Sequence, residues 1–252
     1  MPASPETTTK VLVLGGSAEA ARLAARLAGD PRYETLSSLA GATRRPAALP
    51  GRVVSGGFGG AEGLARFLGT ERIARVVDAT HPFAARISAN AAHACRRAGV
   101  PLLRLARPPW RPRAGDRWLE VADAAAAAAR LPGLGDRVFL SLGRKRLDAF
   151  AGLAETWFLV RLIEAPAAPL PLARHRLVLA RGPFRVEDEL ALMRAHGIEA
   201  LVSKNSGGEA TYAKIEAARR LGLPVLMLQP PPPPERVERV ADVEAALAWL
   251  AG

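Results

Sequence analysis

Cysteine is almost missing from this sequence: Cys95 is the only one in 252 residues. A lone thiol excludes a disulfide scaffold and a cysteine-rich zinc module, and it suits a reducing compartment. Aromatic residues make up only 5% of the chain, too few to supply the stacking platforms of a nucleic-acid binder, and no nucleic-acid module is recognisable. No apolar run approaches the ~18 residues that a membrane span needs. Residues 1–10 are polar and lack the apolar stretch of a signal peptide. The expectation is a cytoplasmic chain with neither a membrane nor a nucleic acid as partner. His81, His93, His175 and His196 show no ligand spacing, so no metal site is expected. Lysine is scarce as well, 4 residues against 31 arginines, with a formal net charge of +11. Such a balance reflects a compositional bias of the source, polyanionic ligands, or both.

What is present is an alternation. Apolar runs at 11–14, 33–39, 52–54, 73–77 and 100–105 read as strands. Helical patterns at 18–27, 61–68 and 82–98 separate several of them. This order predicts βαβ crossovers and a parallel sheet. Arg107-Pro108-Pro109-Trp110-Arg111-Pro112 interrupts it, because so many prolines can continue neither a helix nor a central strand. The alternation then resumes, with strands at 138–140, 158–162, 177–180, 200–202 and 225–228 and helices at 144–150, 186–196, 212–221 and 242–250. The expected organisation is an α/β domain over 1–107, a proline-rich linker over 108–115 and a second α/β domain over 116–252. No internal repeat is visible in the sequence.

The chemistry-bearing strings fall at strand ends, where open α/β sheets bind ligands. Gly15-Gly16-Ser17 joins the first strand to the first helix. A glycine turn lets backbone amides approach an anion, and Ser17 caps the helix or reaches a phosphate oxygen. The string departs from the dinucleotide fingerprint, with Glu19 where the third glycine would stand. After the second strand, the stretch from Ser37 to Arg45 offers hydroxyls and arginines with no acid, which suits a 2′-phosphate and hence NADPH rather than NADH; an exposed basic loop would read the same. Gly56-Gly57-Phe58-Gly59-Gly60 fits a lid or a ligand-cradling loop. Asp78-Ala79-Thr80-His81-Pro82 ends an apolar strand, with Asp78 and His81 as proton-transfer candidates and Thr80 or His81 as helix caps. In the second half Gly143-Arg144-Lys145, Ala180-Arg181-Gly182-Pro183-Phe184 and Ser203-Lys204-Asn205-Ser206-Gly207-Gly208 all follow strands. Their coincidence at one sheet edge predicts a shared ligand face.

Taken together these strings resemble the precorrin-6A reductase (cobalt-precorrin-6A reductase) family of cobalamin biosynthesis, from about residue 11 to residue 230. The resemblance rests on Leu14-Gly15-Gly16-Ser17-Ala18-Glu19-Ala20, Gly56-Gly57-Phe58-Gly59-Gly60, Asp78-Ala79-Thr80-His81-Pro82-Phe83-Ala84, Ala180-Arg181-Gly182-Pro183-Phe184 and Ser203-Lys204-Asn205-Ser206-Gly207-Gly208. Gln229 departs from the arginine usual before Pro230, and Ser17 replaces a commoner threonine.

The resemblance implies two Rossmann-like three-layer α/β domains with parallel sheets and an inter-domain cleft. It implies hydride transfer from NADPH to a polycarboxylate tetrapyrrole, converting precorrin-6A to precorrin-6B, with neighbouring enzymes of the pathway as candidate partners. On this reading Gly15, Gly16 and Ser17 meet the pyrophosphate, and Ser38, Thr43 and Arg44 the 2′-phosphate end. Asp78, Thr80 and His81 line the reacting centre, with Thr80 also touching the cofactor and Asp78 or an ordered water as proton source. Arg181, Lys204, Asn205, Ser206 and Gly207 face the substrate. Arginine forks suit its carboxylates. The choice between metal-free and cobalt-bearing substrate leans to the former. A tetrapyrrole carrier without NADPH and another two-domain tetrapyrrole enzyme such as uroporphyrinogen-III synthase are the alternatives, and nicotinamide binding separates both from the reductase.

Overall fold

The computed structural model of the chain describes residues 8–39 and 49–252. The first apolar run forms β1 (Thr9–Leu14), whose side chains alternate between two buried layers. Val11 and Val13 pack on one face and Leu12 and Leu14 on the other, as in the centre of a parallel sheet. The chain continues through α1 (Ala18–Ala28), β2 (Tyr33–Leu39), β3 (Arg52–Ser55), α2 (Gly60–Thr70), β4 (Arg75–Asp78), α3 (Ala85–Ala98) and β5 (Leu102–Leu105). Then come β6 (Arg117–Val121), α4 (Ala124–Arg130), β7 (Arg137–Ser141), a 3₁₀ helix (Arg144–Phe150), β8 (Trp157–Leu162), β9 (Arg174–Leu179) and α5 (Val186–Ala195). The last elements are β10 (Ala200–Lys204), α6 (Ala213–Arg220), β11 (Pro224–Leu228), β12 (Glu238–Val240) and α7 (Val243–Ala251).

The strands form two six-stranded sheets in the orders β12-β5-β4-β1-β2-β3 and β6-β11-β10-β7-β8-β9. Every ladder is parallel. In the first sheet α1 and α7 cover one face, and α2 and α3 the other. In the second, α5 and α6 bury Phe139, Leu159, Leu201 and Met227 on one face. On the other, Phe150 of the 3₁₀ helix meets the Phe158 ring edge-on at 5.9 Å.

The two sheets share one topology. From a central strand, β1 or β7, each adds two strands on one side, then crosses back to add two on the other. The sixth, edge strand differs in origin: β6 comes just before β7 in the same stretch of chain, whereas β12 follows β11 in sequence yet joins the first sheet. The chain accordingly divides into Met1–Arg107 with Pro231–Gly252, and Pro108–Pro230. This corrects the expected second domain of 116–252. Residues 231–252 return to the first unit because β12 pairs with β5, and because Val243, Ala246 and Leu250 complete the apolar layer holding Val11, Leu103 and Leu105.

Three elements lie beyond the sequence expectation: β6, α4 and β12. The last is only three residues long and α4 only seven, so neither carries a readable period. Helix α4 is set by its cap, the Asp123 carboxylate accepting from the Ala126 amide at 2.8 Å. Helix α3 starts at Ala85, later than the expected 82, and neither Thr80 nor His81 caps it. The Ala84 amide instead donates to His81 O at 2.8 Å in a turn that precedes the helix.

Candidate active site

In a parallel sheet, neighbouring strands whose connections leave in opposite directions open a crevice at their carboxyl ends. In the first unit those strands are β1 and β4, with Leu14 level with Asp78. The glycine turn follows β1. A Cβ on Gly15 would stand 3.1 Å from Leu39 Cδ2 and 3.2 Å from Ser38 O, while Gly16 has φ +116° with nothing within 4 Å. Gly15 is therefore required by close packing against β2, whose Ser38 carbonyl accepts its amide at 2.8 Å. Gly16 is required by backbone conformation and faces open space. An anionic cofactor group fits here, at the amino end of an eleven-residue helix.

Ser17 does both jobs a hydroxyl has locally. It accepts the Ala20 amide at 3.1 Å as N-cap and donates to Ala79 O at 2.7 Å, tying the turn to the end of β4. Its single proton is thus spent, and only its backbone amide is left to donate to a phosphate. Glu19, two residues on, is buried and paired with Arg107 at 2.7 Å. Burial works to raise the Glu19 carboxyl, but a backbone amide and Arg107 override it and hold it below its ordinary range. Ser38 is buried on β2. Thr43 and Arg44 lie outside the described residues.

Asp78 and Thr80 face inward. The Asp78 carboxylate is 2% exposed and 2.5 Å from Arg104 Nη1. It also accepts from Thr80 Oγ1 at 2.7 Å and from the Thr80 amide at 3.1 Å. Arg104, on β5, donates further to Thr80 Oγ1, Ser88 Oγ and Thr80 O at 2.9, 3.1 and 3.1 Å. All three contacts converge on Asp78 Oδ1, so the carboxylate, Thr80 and Arg104 form one buried network at the end of β4. His81 is the partly exposed member of the string. Its Nδ1 accepts the Phe83 amide at 3.2 Å, which places the proton of a neutral ring on Nε2. Nearby Cys95 is buried, and burial and then the Asp78 charge push its thiol up to about 12, so it is chemically quiet.

In the second unit the corresponding strands are β7 and β10. Lys204 ends β10, and burial followed by the charge of Arg146 lowers it to about 8. Asn205 is buried and does not present its amide outward. It accepts from the Trp110 backbone amide at 2.7 Å and donates to Trp110 O at 2.9 Å. The Trp110 indole adds a bond to Gly208 O at 2.8 Å. Asn205 thereby latches the proline-rich segment to the glycine loop. Ser206 and Gly207 are buried beside it, Gly207 with φ +65°. Arg181 lies 3.8 Å from Glu164 and is half exposed.

Sequence reasoning missed Arg104, Trp110 and Arg161. Arg161 on β8 pairs with Glu189 of α5 at 2.7 Å, both buried, and its guanidinium sits 4.1 Å from the Phe184 ring centre, under the loop that carries Arg181. The signal for Arg104 and Arg161 was a single cation inside an otherwise apolar strand, which needs a buried partner. Among the described residues no group of three or more His, Cys, Asp or Glu could hold a metal, and no helix is long and apolar enough to cross a membrane.

The family model described as precorrin-6x reductase CbiJ/CobK matches residues 10–251. This chain belongs to the precorrin-6x reductase family. Among the family's proteins, the precorrin-6A reductase of Rhodococcus erythropolis is 53% identical over 96% of this chain and 97% of its own length. A solved structure named CobK precorrin-6A reductase is 46% identical and superposes with a TM-score of 0.91, covering 97% of this chain and 96% of its own. The cobalt-precorrin-6A reductase of Salmonella typhimurium is 30% identical over 96% of this chain and 97% of its own.

Proposed function

We propose that this chain reduces precorrin-6A to precorrin-6B with NADPH as hydride donor, in the cytoplasm, as a step of cobalamin biosynthesis. The observation that carries the reading is the end-to-end match to relatives named precorrin-6A reductase. The metal-free substrate is favoured because relatives named for it match more closely than those named for the cobalt form. When bound, NADPH supplies a hydride to one carbon of a carbon–carbon double bond, and a proton must reach the other.

The residues of this chain divide the remaining work. Gly15, Gly16 and the Ser17 amide bind the pyrophosphate, and Ser38, Thr43 and Arg44 meet the 2′-phosphate end. Asp78, Thr80 and Arg104 hold the loop that carries His81, and His81 Nε2 or an ordered water provides the proton. Arg181, Lys204, Ser206 and Gly207 meet the macrocycle, whose carboxylates suit an arginine-rich chain of net charge +11. Asn205 sets the loop from behind.

The test is a titration of the purified chain with NADPH and, in parallel, NADH, followed by nicotinamide fluorescence, then turnover of precorrin-6A with product mass as readout. Tighter binding of NADPH than of NADH, and a product heavier by two hydrogens, are expected; Arg44→Ala narrows the preference. If neither nucleotide binds with precorrin-6A present, the reading falls and a non-catalytic tetrapyrrole carrier replaces it.

A further inference from the structure

The second unit carries an ion pair inside an apolar layer. Arg161 is the last residue but one of β8, on the face that packs against α5 and α6, and it pairs with Glu189 of α5 at 2.7 Å. Their side chains are 7% and 1% exposed. Arg161 Nε and Glu189 Oε2 have no hydrogen-bond partner among the described residues. A buried ion pair adds little stability over apolar side chains of the same volume, least of all when part of it is unsatisfied. Its work lies in what it holds in place.

The Arg161 guanidinium meets two rings, with the Phe139 centre at 4.8 Å and the Phe184 centre at 4.1 Å. Phe139 belongs to the central strand β7, whereas Phe184 belongs to the loop 180–184 between β9 and α5. Glu189 sits one turn into the helix that this loop enters. Arg161 therefore ties an inner strand both to the loop and to the start of the next helix. The loop has a second attachment. The Phe184 amide donates to Ala210 O at 3.2 Å, and a Cβ on Gly182 would stand 3.0 Å from the same oxygen. Ala210 lies just beyond Gly208, so the strings 180–184 and 203–208 are joined at this carbonyl.

We infer that Arg161 and Glu189 are positioning residues: they set the loop that carries Arg181, and through it the hold of the protein on the macrocyclic substrate. A planar guanidinium gives the Phe184 ring a flat, charged face that an aliphatic side chain lacks. Arg181, half exposed near the start of the loop, is then presented in one arrangement, and less order has to be imposed when substrate binds. The part played by Arg181 rests on the reductase reading; the setting of the loop rests on the contacts alone.

The experiment compares the unmodified chain with the double variant Arg161→Leu/Glu189→Leu, which removes both charges at similar volume, and with Phe184→Leu and Phe184→Tyr. Amide hydrogen exchange over residues 180–184, urea midpoints, kcat and KM for precorrin-6A and Kd for NADPH are measured. In the double variant the urea midpoint should hold, while the loop amides exchange faster. KM should rise about tenfold, the effect of one charge-assisted contact no longer held in place. Turnover number and NADPH Kd should stay within about twofold. Phe184→Leu should repeat this pattern, and Phe184→Tyr, which keeps the ring, should not. Adding Phe184→Leu to the double variant should raise KM no further, because the same contact has already been lost. A role in stability alone would lower the urea midpoint and leave KM and loop exchange as they were. That result overturns the inference, and so does an unchanged KM or an unchanged loop exchange in the folded double variant. Should the double variant fail to fold, Phe184→Leu against Phe184→Tyr carries the test. If the unmodified chain does not turn over precorrin-6A, the reductase reading fails and hydrogen exchange still decides the positioning. Faster exchange confined to 180–184 upholds it, and unchanged exchange removes it.

Discussion

The Asn205 carboxamide reads the Trp110 backbone on both sides, accepting its N–H at 2.7 Å and donating to its C=O at 2.9 Å. Trp110 sits in a run of prolines that cannot pair with a strand, so these bonds replace the ladder that its backbone lacks. Asn205→Ala leaves two backbone groups of the half-buried Trp110 without partners, at a cost of about 1 kcal/mol each. The expected outcome is a lower denaturation midpoint, a shifted Trp110 emission and a raised KM for the tetrapyrrole with little change in NADPH affinity. Asn205→Asp keeps the acceptor, loses the donor and buries a charge, so it should be no better than alanine. Wild-type stability in both variants would mean that the latch is incidental.

Arg104 and Asp78 allow a cleaner experiment, because both are almost wholly enclosed. Removing one partner strands the other charge: Arg104→Met should destabilise the chain by about 3–5 kcal/mol, measured by denaturant unfolding. Combining it with Asp78→Asn removes the stranded charge, and the double variant should be more stable than Arg104→Met alone. Its turnover should stay low, since Thr80 and the loop bearing His81 have lost their anchor. A double variant with full turnover would show that the network serves stability only.

Much of this was legible in the sequence, for reasons that particular residues make plain. Val11 to Leu14 announced a two-faced central strand, and Gly15-Gly16-Ser17 announced a turn into a helix, because both signals are local. The return of β12 to β5 was not legible: three residues, Glu238–Val240, fit any sheet edge, and the choice is made by what α7 buries behind it. The repeat was hidden for a related reason. The two sheets share strand order but not side chains: level with the last residue of the central strand stands Asp78 in one unit and Ser203 in the other. Asn205 and Ser17 were marked as important by their strings, yet their partners, Trp110 and Ala79, lie 95 and 62 residues away. Sequence spacing alone could not supply them.

Gly15 and Ser17 should separate in their effects on the cofactor. Gly15→Ala puts a methyl group 3.1–3.2 Å from Leu39 and the Ser38 carbonyl, forcing the turn outward where a pyrophosphate would lie. NADPH affinity should fall by about tenfold, roughly 1.4 kcal/mol. Ser17→Ala removes the cap and the bond to Ala79, costing about 1 kcal/mol of stability. It keeps the backbone amide, so NADPH Kd should move by no more than about threefold. Fluorescence titration beside thermal unfolding distinguishes the two, and a Ser17→Ala variant that loses the cofactor while keeping its stability would reverse the assignment.

Lys204 ties binding and stability to pH with opposite signs. Burial and the Arg146 charge lower it from 10.5 to about 8. Between those values the unfolded chain holds a proton that the folded chain has released, so this group makes folding more favourable as pH rises from about 8 towards 10.5. The same deprotonation removes the charge that would hold a carboxylate. KM for the tetrapyrrole should therefore climb as pH passes through 8, while the contribution of Lys204 to stability improves. The bound carboxylate favours the ammonium form, so the rise in KM should begin from the free protein's value near 8 and flatten once the free and bound values have both been passed. Lys204→Met should remove both trends at once, with KM high and flat across the range and the alkaline gain in stability gone. Measuring KM and urea midpoints at pH 7, 8, 9 and 10 for the two proteins tests the linkage. A Lys204→Met variant that retains the alkaline rise in KM would assign the titration to another group.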